Sequence, residues 1–249
     1  MGILDIFGGK SPERAAKLKA KVVQKYGGPE GRQKAIQQLG EMEFPEATAS
    51  LLARFTINVE PQTTDADEKE HVFELIRARG QAAVEPVRTF LRRTDQASSW
   101  AVRLLHDILP ADAYVTALLE HLQELSEVYT RDPEKKLVLL GAVEALDDPR
   151  IAPQALPFLD DMADDVKFGA LRALASRGYP ESREPILRLL TAPETARRVQ
   201  TAALAALADS GFGVQGYREK VESLLTEPFF IDKAGIVKRR GSAQAPQAG

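Results

Sequence analysis

The chain has no cysteine among its 249 residues. That excludes disulfides, cysteine nucleophiles and thiolate metal sites, and leaves the redox compartment open. Histidine is scarce: His71, His106 and His121 are all there are. None stands in a His-Glu or His-x-x-x-His spacing, so a histidine-based metal or hydrolase centre has no motif to rest on. No apolar run approaches the roughly 18 residues a membrane span needs. Met1–Gly9 has no basic stretch before its apolar residues and is too short for a secretory signal. No glycine-rich phosphate loop follows a strand pattern. The glycines of Gly211-Phe212-Gly213-Val214-Gln215-Gly216 link two helical stretches instead. The nucleophile elbow of a serine hydrolase is missing as well. Neither charge sign dominates: 33 basic and 36 acidic residues leave a net charge of −3, which disfavours polyanion binding by bulk charge. These absences point to a non-enzymatic chain without cofactor or metal, and the expected location is the cytoplasm.

What the sequence does have is helical periodicity that recurs. From Asp164 to Ala175, Val166, Ala170, Leu171 and Leu174 fall on one helical face. Asp164 or Asp165 is placed to cap the helix, and Gly178 to supply the left-handed residue that ends it. A second helix follows, with Ile186, Leu187 and Leu190 inward and Arg183, Glu184 and Arg188 outward. Two such short helices cannot bury both apolar faces alone and need neighbours of the same kind.

Such neighbours are present. An apolar pair closes each second helix: Leu51-Leu52, Phe90-Leu91, Leu118-Leu119, Phe158-Leu159, Leu189-Leu190 and Leu224-Leu225. Their mean spacing is about 35 residues, the length of a helical repeat. Glu85-Pro86 and Glu184-Pro185 recur near the starts of second helices, where a proline's missing N–H costs little.

On these residues the chain resembles the HEAT family, in particular the HEAT-like repeats first noted in phycobilisome lyases. Asp165 to Leu190 follows that pattern of Asp-x-x-Val-Arg-x-x-Ala-x-x-Ala-Leu-Gly, a turn, and a Pro-x-Leu-x-x-Leu helix. Lys167 takes the arginine slot and Ala175 the glycine slot. Arg32–Gly40 and Arg198–Ala208 match in part, and the units near Asp65 and Asp95 less closely. The resemblance covers about residues 29–227. It implies an all-α fold, a right-handed α-solenoid (a HEAT/armadillo-like superhelix) of about six helix pairs with caps at both ends. It says little about function, because such arrays serve many purposes.

The expected organisation is a leader and basic capping helix over 1–28, the repeat array over 29–227, a C-terminal cap over 228–240, and a disordered tail over 241–249. Residues 1–27 hold six basic residues against two acids, and Ile3, Leu4, Ile6 and Phe7 precede the helix, so weak contact with an anionic membrane surface is a competing role for this segment. Asn58–Glu68 reads as a polar loop, longer than the other connections. Pro149, Pro153 and Pro157 predict a late-starting second helix near Ala152, with a kink at Pro157. Asp160, Asp161, Asp164 and Asp165 read as turn and cap residues, since they lack the spacing of a calcium loop.

Three functions fit an array of this kind. A protein or peptide scaffold would use its inner face, and arginine is enriched at interface hot spots, so Arg54, Arg88, Arg92, Arg93 and Arg188 are the candidate partner-binding residues. A nucleic-acid-binding array like the alkylpurine DNA glycosylases would need a groove of one sign with tryptophan and aspartate. Here Trp100 and Asp107 are available, but the column Arg54, Arg93, His121, Asp161, taken two residues past each apolar pair, turns from basic to acidic. A lyase acting on bilins is the third, and no bilin-contacting residue is identifiable. The scaffold reading is preferred, and nucleic acid is disfavoured as partner.

Overall fold

A computed structural model of the chain describes residues 10–128 and 132–241. The capping role read for Met1–Gly9 and the disorder read for the tail beyond Gly241 lie outside these residues. Helices dominate: thirteen α-helices occur among the described residues, with two short strands near the C-terminus. None of the described helices is long and apolar enough to cross a membrane. The chain divides into two compact units, residues 1–117 and 118–249.

The first unit holds α1 (Pro12–Val22), α2 (Glu30–Gly40), α3 (Pro45–Leu52), α4 (Gln62–Arg77), α5 (Gln81–Arg93), α6 (Ser98–Ile108) and the start of α7 (Ala111–Ser126). The Ser11 side chain caps α1, accepting from the Arg14 N–H at 3.3 Å, and Pro12 takes the first helical position. Helices α2, α4 and α6 pack in one layer and α1, α3 and α5 in another. Each contributes an apolar stripe at helical spacing: Ala15, Leu18 and Val22 from α1, Ala35, Ile36 and Leu39 from α2, Val72, Phe73 and Ile76 from α4. Each large aliphatic side chain so buried contributes about 1.5–3 kcal/mol.

Beneath α4 lies the unit's polar centre. Glu68, 4% exposed, accepts from Arg32 through Nε at 2.5 Å and Nη2 at 2.9 Å, and from Arg54 Nε at 2.9 Å. Arg54 also donates to Asp65 at 2.8 Å and to the Ile57 carbonyl at 3.1 Å. Lys69 reaches Asp65 at 2.7 Å and the Asn58 side chain at 2.6 Å. This corrects the loop expected over Asn58–Glu68: α4 begins at Gln62. Its polar residues do not mark an insertion. They satisfy two guanidinium groups that the first repeat buries, and a buried charge is tolerated only when paired and hydrogen-bonded.

The second unit has the same construction from α8 (Glu134–Glu144), α9 (Ile151–Ala155), α10 (Asp164–Leu174), α11 (Arg183–Thr191), α12 (Arg197–Asp209) and α13 (Arg218–Leu224). Helices α8, α10 and α12 pack side by side. As the prolines predicted, α9 is short and passes into a 3₁₀ turn over Leu156–Asp160, with Pro157 in its first turn. Two details differ from expectation in α10. No aspartate side chain caps it; Asp161 Oδ1 instead accepts from the Ala163 N–H at 2.9 Å just before it. It also ends before Gly178, and Ser176 adopts φ +64° beyond it, although Gly178 is left-handed too, at φ +59°. Proline 86 is a further difference: α5 starts early enough, at Gln81, that Pro86 lies inside it.

One device recurs in both units. Arg79, just past α4, donates to the Leu39 carbonyl at the end of α2 at 2.7 Å and to Thr48 Oγ1 at 2.5 Å. Arg177, just past α10, donates to the carbonyls of Val143 at 3.0 Å and Leu146 at 2.6 Å at the end of α8. Each supplies a cation and donors to helix-terminal carbonyls that have no partner within their own helix. Burial pulls both guanidinium pKa values down, partly offset by nearby carboxylates. On the outside, Glu70–Arg103 at 2.7 Å, Glu144–Arg172 at 2.6 Å and Asp165–Arg198 at 2.6 Å join successive first helices. These exposed pairs contribute about 0–1 kcal/mol each.

The C-terminal cap is a hairpin, β1 (Phe229–Ile231) against β2 (Val237–Arg239), antiparallel with Phe230 opposite Lys238. Asp232 Oδ1 holds the turn by accepting from the N–H groups of Ala234 and Ile236, both at 2.9 Å, and Gly235 takes φ +77°. Phe229 and Val237 are buried, and the hairpin packs on α12. The signal was present in two β-prone triplets around Asp-Lys-Ala-Gly.

Leu174 is 0% exposed, so Leu174→Ala is expected to cost about 2–5 kcal/mol from transfer and cavity terms; urea unfolding checks it, and a loss under about 0.5 kcal/mol is outside that range. A second expectation concerns acid. Burial raises the Asp65 pKa, but hydrogen bonds from Lys69, Arg54 and the Val59 N–H outweigh it and hold the group below the usual carboxylate range. A depressed folded pKa adds stability above the unfolded value, about 3.9, and loses it as pH falls through the folded value. The stability gap between wild type and Asp65→Asn should therefore be widest above about pH 4 and narrow below it, as read from urea midpoints across a pH series.

Candidate functional site

Helices α1, α3 and α5 leave an open trough of about 490 Å³ on the first unit, lined by Lys19 of α1, by Pro45, Glu46 and Ala49 of α3, and by Ala82, Glu85, Pro86, Thr89, Phe90, Arg93 and Thr94 along α5. Its shape follows from the sequence of α3. That helix lasts eight residues before a 3₁₀ turn over Ala53–Thr56, and its outward positions hold only Pro45, Glu46 and Ala49. Ser50 Oγ donates to the Glu46 carbonyl at 2.8 Å and lies 3.2 Å from the Ala15 carbonyl of α1, so α3 is held low between its neighbours. The trough walls then rise on either side, with an apolar floor and a rim of mixed charge. Arg92 lies 3.4 Å from Glu85 and Thr89 Oγ1 donates to the same carboxylate at 3.3 Å.

The candidate arginines divide sharply. Arg93 lines the trough and is exposed, Arg92 is exposed beside it, and Arg88 is half-buried on the same helix. Arg188 is exposed on α11 of the second unit, near Tyr217 and Glu184. Arg54 must be corrected. It is 0% exposed and occupied by Glu68, Asp65 and the Ile57 carbonyl, so no partner can reach it. The charge column read from Arg54, Arg93, His121 and Asp161 fails for the same reason. His121 is 2% exposed with Glu124 3.3 Å away, and Asp161 accepts from Lys136 at 2.7 Å. Only Arg93 of the four is an open surface residue, because α3 ends two residues before Arg54 and the 3₁₀ turn rotates that side chain inward.

Trp100 stacks on Phe55 with ring centroids 4.7 Å apart and planes 11° from parallel, and the Arg103 guanidinium lies 5.5 Å from its ring. Phe73 packs at 6.0 Å from the same ring. His106 lies 3.1 Å from Asp107 and meets Tyr114 edge-on. Among the described residues no group of three His, Asp or Glu side chains is placed to hold a metal ion.

Missed in the sequence were the trough residues themselves, Ala49, Pro86 and Phe90. The available signal was the run Pro45-Glu-Ala-Thr-Ala, which puts no bulky side chain on the outer face of α3.

No protein-family model matches the chain, and no curated protein matches it. Among solved structures it is similar to the crystal structure of an engineered protein, at 20% identity over 84% of this chain and 97% of that one, with a TM-score of 0.41. That likeness is too loose to decide fold or function.

The division among the arginines is measurable. Removing one partner of a buried ion pair costs about 3–5 kcal/mol, so Arg54→Met should lower the urea midpoint strongly. Arg93→Glu, on the surface, should stay within about 0.5 kcal/mol of wild type. Equal effects from the two would reverse the assignment.

Proposed function

We propose that the chain is a non-catalytic interaction scaffold. In this reading its helix pairs continue as a right-handed HEAT-like superhelix in the cytoplasm, and the second helices present the surface that binds a protein or peptide partner. The observation that carries it is the trough over α3. It is open, its floor is apolar, and its rim carries Lys19 and Arg93 with Glu46 and Glu85. An apolar centre with a polar rim is the anatomy of a protein interface. A mixed rim suits a protein partner better than a phosphate backbone, which demands one sign. Arg92 and Arg93 are the polar contacts on this reading, with Arg88 beside them. Arg188 is kept as a separate candidate on α11.

The glycosylase-like alternative gains no support from Trp100, since one face of its ring is already stacked on Phe55. A lyase-like activity has no residue set to carry it.

The test is affinity capture from source lysate with wild type, with a trough variant, Ala49→Arg/Arg93→Glu, and with Arg172→Glu on α10 as an exposed control. Partners should be lost only from the trough variant. Identical captures from all three, or hydrolytic or lyase turnover by the purified protein, would overturn the scaffold reading.

A further inference from the structure

The apolar lining of the trough over α3 is open to solvent. Pro45, Ala49 and Ala82 are exposed, and Pro86 and Phe90 are half-buried. Covering such surface is favourable whatever covers it, because the hydrophobic effect has no direction. The chain carries a complement of its own close by. Met1–Gly9 holds Ile3, Leu4, Ile6 and Phe7, with Asp5 its one charged side chain. This segment leads into α1, whose Lys19 stands on the rim of the trough. The cleft on the other side of α1 offers the same side chains no such seat, since Leu18 and Ala35, its larger apolar members, are buried in the core.

Length and composition both bring this leader within reach of the trough. From Lys10 to Lys19 the helix advances about 13 Å, at about 1.5 Å per residue. An extended chain covers about 3.3 Å per residue, so the positions from Phe7 back to Ile3 reach about 10 to 23 Å from Lys10. That range brackets the distance to Lys19. Folding back requires a reversal between Phe7 and Lys10. Gly8-Gly9 stands there, and without a Cβ these residues take left-handed backbone as readily as right-handed. The apolar side chains then face Ala49, Ala82 and Phe90. Asp5 meets a rim that carries Lys19 on the α1 wall and Arg93 on the α5 wall, both exposed. The tether helps as well. A short flexible linker holds its end at about millimolar effective concentration, so a contact too weak for a free peptide is filled within one chain.

We propose that Met1–Gly9 lies in the trough of its own chain, as an autoinhibitory contact that a partner must displace. The proposal rests on the reading of the trough as a partner site and names what competes there. A partner that displaces the leader has to offer more apolar surface than its four large side chains, or more acids to the cations of the rim, because it competes with a tethered rival. A leaflet of anionic lipid is a poorer seat for the same segment. It repels Asp5, and no basic residue among Met1–Gly9 compensates.

The test uses the full chain, which has no cysteine, so any disulfide joins two introduced residues. Cysteine replaces Leu4, Ile6 or Phe7 in turn, paired with Ala49→Cys in the trough or with Gly31→Cys in the cleft between α1 and α2. Both receiving positions are exposed, and a Cβ at Gly31 meets nothing within 4 Å. A disulfide needs Cα atoms within about 7 Å of each other. Under mild oxidation at least one leader position should join Ala49→Cys about tenfold faster, or more, than it joins Gly31→Cys, and within a single chain. Adding Ala82→Glu, which puts a charge into the apolar seat, should slow that reaction about tenfold. Adding Arg172→Glu on α10 should leave it within about twofold. Equal rates to the two receiving positions, faster reaction with Gly31→Cys, or disulfides formed only between two chains would overturn the proposal. So would pelleting of the full chain with anionic vesicles that Ile6→Asp/Phe7→Asp abolishes, which assigns the leader to a membrane. The same Ile6→Asp/Phe7→Asp variant should raise partner capture above wild type, and unchanged capture would overturn the competition. Failure here and failure of the scaffold reading give different results. Cross-linking to Ala49→Cys with no partner captured by any variant overturns the scaffold reading and the competition with it, while the contact stands. Trough-dependent capture without cross-linking overturns the contact alone.

Discussion

Glu68 stands between two guanidinium groups that water hardly reaches. Arg32 comes from α2 and Arg54 from the 3₁₀ turn after α3, and both donate to its carboxylate. Without Glu68 the first repeat would bury two cations with inadequate partners, a cost of several kcal/mol each. The position of α4 follows from this constraint. Glu68 and Asp65 sit one turn apart, so a helix that brings one to Arg32 brings the other to Arg54, and Lys69 then meets Asp65 and Asn58. A hydrophobic contact tolerates sliding along a helix. A shared carboxylate with two fixed forks does not, so the network sets the register between successive first helices as well as closing their core.

The same logic operates at helix ends. The repeats are short, so a large fraction of their backbone carbonyls belongs to a last turn and has no partner within its own helix. Arg79 and Arg177 meet these groups from the next first helix along, each just after its own helix has ended. An arginine can serve two or three carbonyls at once because its donors are spread over a rigid plane. Neighbouring first helices are thereby joined by directed polar bonds in addition to their apolar stripes. Arg32, which also donates to the Gln24 carbonyl at 3.0 Å, combines both roles.

On the first unit, the residues of α1 divide by helix face. Helix α1 offers Lys19 to the trough over α3 and Arg14, Lys17 and Lys21 to the cleft beside α2. Its apolar stripe lies between the two. The trough exists because α3 is short and small-sided.

The sequence by itself determined the helical class, the recurrence of paired helices near a 35-residue spacing, the late-starting second helix near Ala152 that gives way at Pro157, and the burial of positions such as Leu174. These are local or periodic properties: a stripe at i, i+3 and i+4 reports burial whatever the partner, and proline acts on its own backbone. Only the tertiary structure decided the fate of the charged residues. Arg54 and Arg93 occupy equivalent places after an apolar pair, yet one is sealed in an ion network and the other lies open, because a 3₁₀ turn follows α3 and no such turn interrupts α5. Asp65 and Glu68 look like loop residues until Arg32 and Arg54, from elsewhere in the chain, are placed against them. Charge alone does not distinguish a solvated side chain from a paired buried one. The distinction rests on contacts 14 and 36 residues apart in the chain, and only the folded arrangement brings those residues together.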